Sequence, residues 1–141
     1  LPPFAAIVVA TGKGLRVGGD KPKQFRDLNG KPVIRWSIEA LAHAGADVIV
    51  TVIAPETLAE AEAALAGIAG LVFVPGGATR QDSVRAGLEA LAERAPDRVL
   101  IHDAARPHLP REVIARLLAA LEEHPGAIPV LPVVDSLAVA G

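Results

Sequence analysis

Three groups of residues in this chain have types and spacings that could do chemistry. The first runs Ala10-Thr11-Gly12-Lys13-Gly14-Leu15-Arg16, then Val17-Gly18-Gly19-Asp20-Lys21, then Pro22-Lys23-Gln24. Glycines let backbone N–H groups come close to an anion, and Arg16 and Lys23 can bring positive charge from two directions. A nucleotide triphosphate is the simplest ligand that needs both. A flexible surface loop is the alternative; the interleaving of cations with glycines speaks against it. The second group is Gly76-Gly77-Ala78-Thr79-Arg80-Gln81-Asp82-Ser83-Val84. Two glycines ahead of a helix start leave room for a ligand, and the helix N-terminus favours an anion or a polar base edge. Thr79 and Asp82 equally fit a helix N-cap with an acidic relative of the capping box. Arg80 and Ser83 are spaced to share a helical face. The third group is His102-Asp103-Ala104-Ala105-Arg106-Pro107. Asp103 could hold a Mg²⁺ that bridges phosphate oxygens. Arg106 could order this loop or pair with a phosphate or with Asp103.

Better-known glycine patterns do not fit the first group. A dinucleotide fingerprint accounts for Gly12 and Gly14 but finds Val17 at its third glycine, and Ala54 rather than an acid closes the second strand. A P-loop finds Gly14 and Gly19 at the right spacing but Asp20 where its lysine belongs. Among the histidines, His102 reads as loop-positioning, since no second His stands at metal-ligand spacing. His43, His108 and His124 read as surface residues near helix ends. Glu56, Glu60 and Glu62 read as a solvated helix face.

These groups need a frame, and the hydrophobic pattern supplies one. Apolar, β-branched runs at 4–10, 47–54, 71–75 and 98–102 read as strands, the first two as strands buried on both faces. Between them fall helical patterns. One spans 31–44, with Ile34, Ile38, Leu41 and Ala42 inward, Pro32 at the first helical position and Gly45 as C-terminal cap. The others span 56–66 (Leu58, Ala61, Leu65 inward), 79–95 (Val84, Leu88, Leu91, Ala92) and 110–123 (Val113, Ile114, Leu117, Leu118, Leu121). A fifth strand is expected over 127–134, irregular or at an edge because Pro129 and Pro132 interrupt it. Strand–helix alternation predicts right-handed βαβ units, hence a mostly parallel sheet covered on both faces: a Rossmann-like three-layer α/β/α sandwich. Ligands in such sheets sit at the carboxyl ends of strands, where all three groups fall.

Bulk properties agree. The chain has 141 residues, enough for one domain with a core. A hydrophobic fraction of 51% excludes a disordered tail, and a net charge of −2 gives no basic field for a nucleic acid partner. With 0 cysteines, disulfides, thiolate nucleophiles and cysteine metal sites are excluded. No signal peptide and no stretch of about eighteen apolar residues is present, so a soluble cytoplasmic protein without membrane contact is expected. The absence of an initiator Met and the stop at Gly141, just past a strand, lead us to expect an incomplete polypeptide.

Taken together, the three groups resemble the 2-C-methyl-D-erythritol 4-phosphate cytidylyltransferases of non-mevalonate isoprenoid synthesis. That family has Ala-Ala-Gly-x-Gly-x-Arg leading to Pro-Lys-Gln, then Gly-Gly-x-x-Arg-x-x-Ser-Val, then His-Asp-Ala-Ala-Arg-Pro. Order and spacing agree over essentially the whole chain. The resemblance implies the nucleotide-diphospho-sugar transferase type of fold and transfer from CTP to a polyol phosphate. It implies that Arg16 and Lys23 contact the triphosphate and stabilise the transition state. Ala10, Thr11, Gly12, Gly14, Gly76, Gly77, Ala78 and Ser83 would surround the cytidine, with Arg80 beside them in the substrate site. Asp103 would bind Mg²⁺, with Ala104 and Arg106 near the ribose and the second substrate. Asp135 would begin an Asp-Thr-x-Lys segment, which here reads Asp135-Ser136-Leu137-Ala138 without the lysine. Thr11 stands where the family has its second alanine. The family's chain continues into a dimerisation arm, so a homodimer is implied, and in some bacteria this domain is fused to 2-C-methyl-D-erythritol 2,4-cyclodiphosphate synthase. Two alternatives remain open at this stage. One is a ribitol-5-phosphate cytidylyltransferase, a relative with similar loops. The other is a nucleotide-binding but inactive module, which CTP binding without pyrophosphate release would reveal.

Overall fold

The computed structural model describes residues 1–12 and 22–128. In chain order the elements are β1 (Ala5–Ala10), β2 (Asp27–Leu28), β3 (Lys31–Pro32), α1 (Val33–His43), β4 (Val48–Ile53), α2 (Leu58–Ala64), β5 (Leu71–Pro75), α3 (Arg80–Leu91), β6 (Val99–Asp103) and α4 (Arg111–Leu121). The four strands expected from the apolar runs are present, each within a residue of its expected bounds. The strand expected over 127–134 lies outside the described residues, save Ala127 and Ile128, which carry no strand.

The four long strands form one parallel sheet in the order β5-β4-β1-β6. β1 and β4 are buried along their whole length, which is why both read as unbroken apolar runs rather than alternating ones. The side chains of each strand alternate between two cores. Ala6, Val8, Ala10, Ile49 and Ile53 face a layer containing Ile34, Ile38 and Leu41 of α1, Ala61 of α2, and Ile114 and Leu118 of α4. Ala5, Ile7, Val9, Val50 and Val52 face the opposite way, where Leu91 of α3 covers them. Helices on both faces of a parallel sheet make the three layers of a Rossmann-like α/β/α sandwich. α3 seats tightly because Gly87 has no side chain: a Cβ there would stand 2.7 Å from Cγ2 of Ile7.

Several local expectations are corrected. The first helix begins at Val33, not at residue 31. Pro32 is its N-cap, because Lys31 and Pro32 pair with Asp27 and Leu28 in a small antiparallel hairpin. The turn of that hairpin is Asn29-Gly30, with φ of +50° and +91°, the Asn-Gly signal of a two-residue turn. Trp36 Nε1 donates to the Leu28 carbonyl at 2.9 Å and latches the hairpin to α1. Gly45 does cap α1: it adopts φ +95°, its N–H reaches the Ala42 carbonyl, and the Ala46 N–H reaches that of Leu41. Leu58, Leu88 and Ala92 were expected to face inward and are exposed. On α3 the buried row is Ser83, Gly87 and Leu91, a stripe too small and polar to stand out by hydrophobicity.

The chain steps from β1 outward through β4 to β5, then returns to the far side of β1 with β6. The strand order therefore reverses between β1 and β6, and ligands of open α/β sheets bind at the carboxyl ends beside such a reversal.

Candidate active site

The end of β1 is held by a side chain from later in the chain. Gln24 is 3% exposed, and its Nε2 donates to the carbonyls of Ala10 at 3.0 Å and Gly12 at 2.8 Å. Gln24 sits in a single 3-10 turn, Lys23–Phe25, closed by Phe25 N–H to the Pro22 carbonyl at 3.0 Å. Phe25 anchors the turn in the core at 4% exposure, while Lys23 is exposed beside it. Sequence reading named Gln24 in the Pro-Lys-Gln run and gave it no task. Nothing in composition or periodicity marks a carboxamide that will bond across the chain. Gly14, Arg16 and Asp135 lie outside the described residues.

The loop after β5 is built mainly from its own hydrogen bonds. Thr79 caps α3, its hydroxyl accepting from the Asp82 N–H at 3.0 Å while the Asp82 carboxylate accepts from the Thr79 N–H at 3.3 Å. The capping-box reading of Thr79 and Asp82 therefore holds. Ser83 is buried, and its Oγ accepts from the Gly77 N–H at 3.2 Å, so it shapes the glycine turn from beneath. Arg80 and Ser83 do not present together: Arg80 is exposed and Ser83 is inside. Gly76 is glycine for a packing reason. A Cβ there would fall 2.2 Å from Cγ2 of Thr11 and 2.8 Å from Oγ of Ser83. The methyl that distinguishes Thr11 from alanine thus rests on Gly76 and joins the first loop to the second. Gly77 is equally crowded, with Cβ of Asp82 at 2.3 Å from where its own would be. Gly12, by contrast, is open: a Cβ there would meet nothing within 4 Å.

The loop after β6 lies on the side of β1 opposite β4. Asp103 ends β6 in register with Val9, and the Ala104 N–H donates to the Val9 carbonyl at 2.9 Å. Oδ1 of Asp103 accepts from the Ala105 N–H at 3.0 Å, and the Arg106 N–H closes the turn on the Asp103 carbonyl. His102 Nε2 meets the Arg106 carbonyl at 2.7 Å, which bears out its loop-positioning role. Burial pushes the His102 pKa below its ordinary 6.5, outweighing the upward pull of that carbonyl and of Asp103. Arg106 is exposed at the rim. His43, His108 and His124 are exposed, as are Glu56, Glu60 and Glu62.

Among the described residues no three His, Cys, Asp or Glu side chains cluster to hold a metal. Asp103 alone still suits Mg²⁺, which is commonly held by one or two carboxylates with substrate phosphates and waters completing its shell. One carboxylate oxygen is fixed by Ala105, which orients the other. A cavity of about 260 Å³ lined by Phe25, Asp27, Pro32, Glu60, Ala63 and Ala64 includes no residue of these loops. The chemistry follows the strand ends, where the charged groups and open backbone are, rather than that hollow.

A doubly wound sheet with glycine turns, an exposed lysine and a carboxylate at its strand-order reversal is a Rossmann-like frame of the kind that binds ligands at its strand ends, and it is the frame of solved nucleotidyltransferases. A crystal structure of 4-diphosphocytidyl-2C-methyl-D-erythritol synthase superposes with a TM-score of 0.76 at 28% identity, covering 98% of this chain and 63% of that one. The chain belongs to the 2-C-methyl-D-erythritol 4-phosphate cytidylyltransferase family, whose model matches residues 4–141. It is 63% identical over 140 residues to the bifunctional enzyme IspD/IspF of Erythrobacter litoralis, covering 99% of this chain and 36% of that protein. It is 54% identical over 136 residues to a 2-C-methyl-D-erythritol 4-phosphate cytidylyltransferase of Cereibacter sphaeroides, covering 94% and 60%. The chain thus spans about a third of the bifunctional relatives and three fifths of the single-function ones. Among the described residues, no helix is long and apolar enough to cross a membrane.

Proposed function

We propose that this chain forms the CTP-binding, catalytic part of an enzyme that joins CTP to 2-C-methyl-D-erythritol 4-phosphate. A phosphate oxygen of the sugar phosphate attacks the α-phosphorus of CTP in line. The bond from that phosphorus to the bridging oxygen breaks, and pyrophosphate leaves with the electron pair. The attacking oxygen is already anionic, so no general base is required. The observation that supports this reading most is the family match over residues 4–141, with the Ala104–Val9 hydrogen bond holding the Asp103 loop beside the strand that leads into the glycine-rich segment.

The work left to the protein is positioning and charge stabilisation. Lys23, exposed beside the end of β1, and Arg16 offset negative charge building on the α-phosphate and the leaving group. The backbone at Ala10, Thr11 and Gly12, with Gly14, meets the nucleotide on one side. Gly76, Gly77 and Ala78 meet it on the other, with Ser83 setting their conformation and Arg80 at the mouth. Ala104 and Arg106 border the acceptor, with Asp135 as a further substrate contact. Asp103 would hold Mg²⁺, which when bound supplies Lewis-acid neutralisation of phosphate oxygens. The same reading makes the whole polypeptide cytoplasmic and a homodimer, and light scattering on the full-length protein measures the second directly.

Replacing Lys23 or Arg16 by Ala is expected to lower turnover by about 10²–10³, the usual cost of one preorganised cationic donor. Wild-type turnover in either folded variant would remove that residue from the mechanism. Asp103→Asn is expected to shift the Mg²⁺ titration of activity to higher concentration. The acceptor is tested by pyrophosphate release with 2-C-methyl-D-erythritol 4-phosphate against ribitol 5-phosphate. Release with the second alone moves the acceptor and keeps the chemistry; CTP binding with no release from either makes the chain a binding module.

A further inference from the structure

Gln24 is a buried carboxamide that extends no helix and no strand. Both hydrogens of its Nε2 are spent on backbone carbonyls, those of Ala10 and Gly12, 14 and 12 positions earlier in the chain. Its neighbours are also fixed. Pro22 is buried, Phe25 is 4% exposed in the core, and the turn closes on itself through Phe25 N–H to Pro22 O and Arg26 N–H to Lys23 O. Within this run of buried residues Lys23 is the one that stands exposed. The carboxamide therefore sets the distance between a cation and the backbone that follows β1.

It also sets the direction of that backbone. In a trans peptide the C=O and the next N–H point opposite ways. Directing the Ala10 carbonyl at Gln24 turns the Thr11 N–H away from it, out of the space that Gln24 fills. We propose that Gln24 is a positioning residue of the site: by gripping Ala10 and Gly12 it fixes both Lys23 beside it and the Thr11 amide that points away from it, and so shapes one phosphate-binding edge. The inference rests on the cytidylyltransferase reading above, and it deepens that reading by naming what fixes the triphosphate edge.

The test uses the full-length polypeptide with Gln24→Glu and Gln24→Met. Both keep the length of the side chain and remove the paired donors. Pyrophosphate release is followed with Mg²⁺, CTP and 2-C-methyl-D-erythritol 4-phosphate, together with thermal melting and amide hydrogen exchange at Phe25 and Arg26, whose N–H groups close the turn. The expected result is a fall in kcat of about 10²-fold in each variant, the scale on which misplacement by about an ångström acts. The KM for the sugar phosphate should change little, and exchange at those amides should quicken. As pH falls, Gln24→Glu should regain kcat relative to Gln24→Met, because the protonated carboxyl can again donate one bond. Turnover and exchange unchanged in the folded variants overturn the proposal. So does an equal loss in both variants at every pH, which marks packing alone. If the unsubstituted protein releases no pyrophosphate, the functional reading fails by itself, and the exchange comparison still decides whether Gln24 holds the turn. If Gln24→Glu does not fold, Gln24→Met carries the comparison.

Discussion

The loop after β5 and the end of β1 pack together at Thr11 and Gly76, yet they are held in different ways. The β5 loop is fastened mainly by bonds that span three to six positions, Thr79 to Asp82 and Gly77 to Ser83, with the Gly76 N–H also reaching the Ile53 carbonyl at the end of β4 at 2.8 Å. The end of β1 is fastened by Gln24 from 14 positions away. The part of that loop from Gly77 to Ser83 is specified as soon as α3 begins, while Gly76 is fixed by the end of β4. A loop held across the chain exists only once the turn carrying Gln24 has docked in the core. Among the described residues they come together where the Thr11 methyl lies against Gly76.

That contact is where the comparison breaks most visibly. Gly76→Ala would set a methyl 2.2 Å from the Thr11 methyl and 2.8 Å from Ser83 Oγ. Overpacking of this kind typically costs about 1–3 kcal/mol. Because the nearest obstacle is a single methyl, Thr11→Ala should return part of that loss. A double-mutant cycle by denaturant unfolding reads the coupling directly, and additive effects would show that the two loops are independent. A smaller effect follows from loosening the local loop alone. Thr79→Ala removes the helix cap and is expected to cost about 1 kcal/mol, with little change at the end of β1. Hydrogen exchange confined to the start of α3 would support the division between locally and distantly held loops.

The smallest effect is the pH response of the third loop. His102 has its pKa lowered by burial, so the unfolded chain takes up the proton first as pH falls. Its contribution to stability is complete above its ordinary value of 6.5 and declines as pH drops below it. Melting temperatures between about pH 8 and pH 5 should show that decline. It should be shallower in His102→Gln, which keeps a donor for the Arg106 carbonyl without titrating. Equal acid slopes would remove His102 as the cause.

Much of this was legible in the chain. β1 and β4 are unbroken apolar runs because a parallel sheet buries both faces. Gly45 caps α1 where an αL residue is needed. Thr79 and Asp82 have the spacing of the box they form. Other features were present in the residues and read differently. Asn29-Gly30 is a hairpin turn, and the hairpin it makes moved the start of α1 to Val33. Leu88 was chosen as an inward residue of α3 because it is apolar. The helix instead lays Ser83, Gly87 and Leu91 on the sheet, since only a stripe with glycine at its centre can approach Ile7 so closely.

By itself the sequence determined the alternation of strands and helices, the loops in which the reactive residues lie, and the family to which the chain belongs. These follow from periodicities and spacings within a few residues, where the covalent chain sets the geometry. Only the tertiary structure decided which loops come together at the strand ends. The strand order reverses beside β1, the Ala104 amide crosses to Val9, Thr11 rests on Gly76, and Gln24 reaches back to Ala10 and Gly12. Each of those contacts joins residues distant along the chain. Nothing local requires them, and they form because packing both faces of one sheet leaves the strand ends in that arrangement.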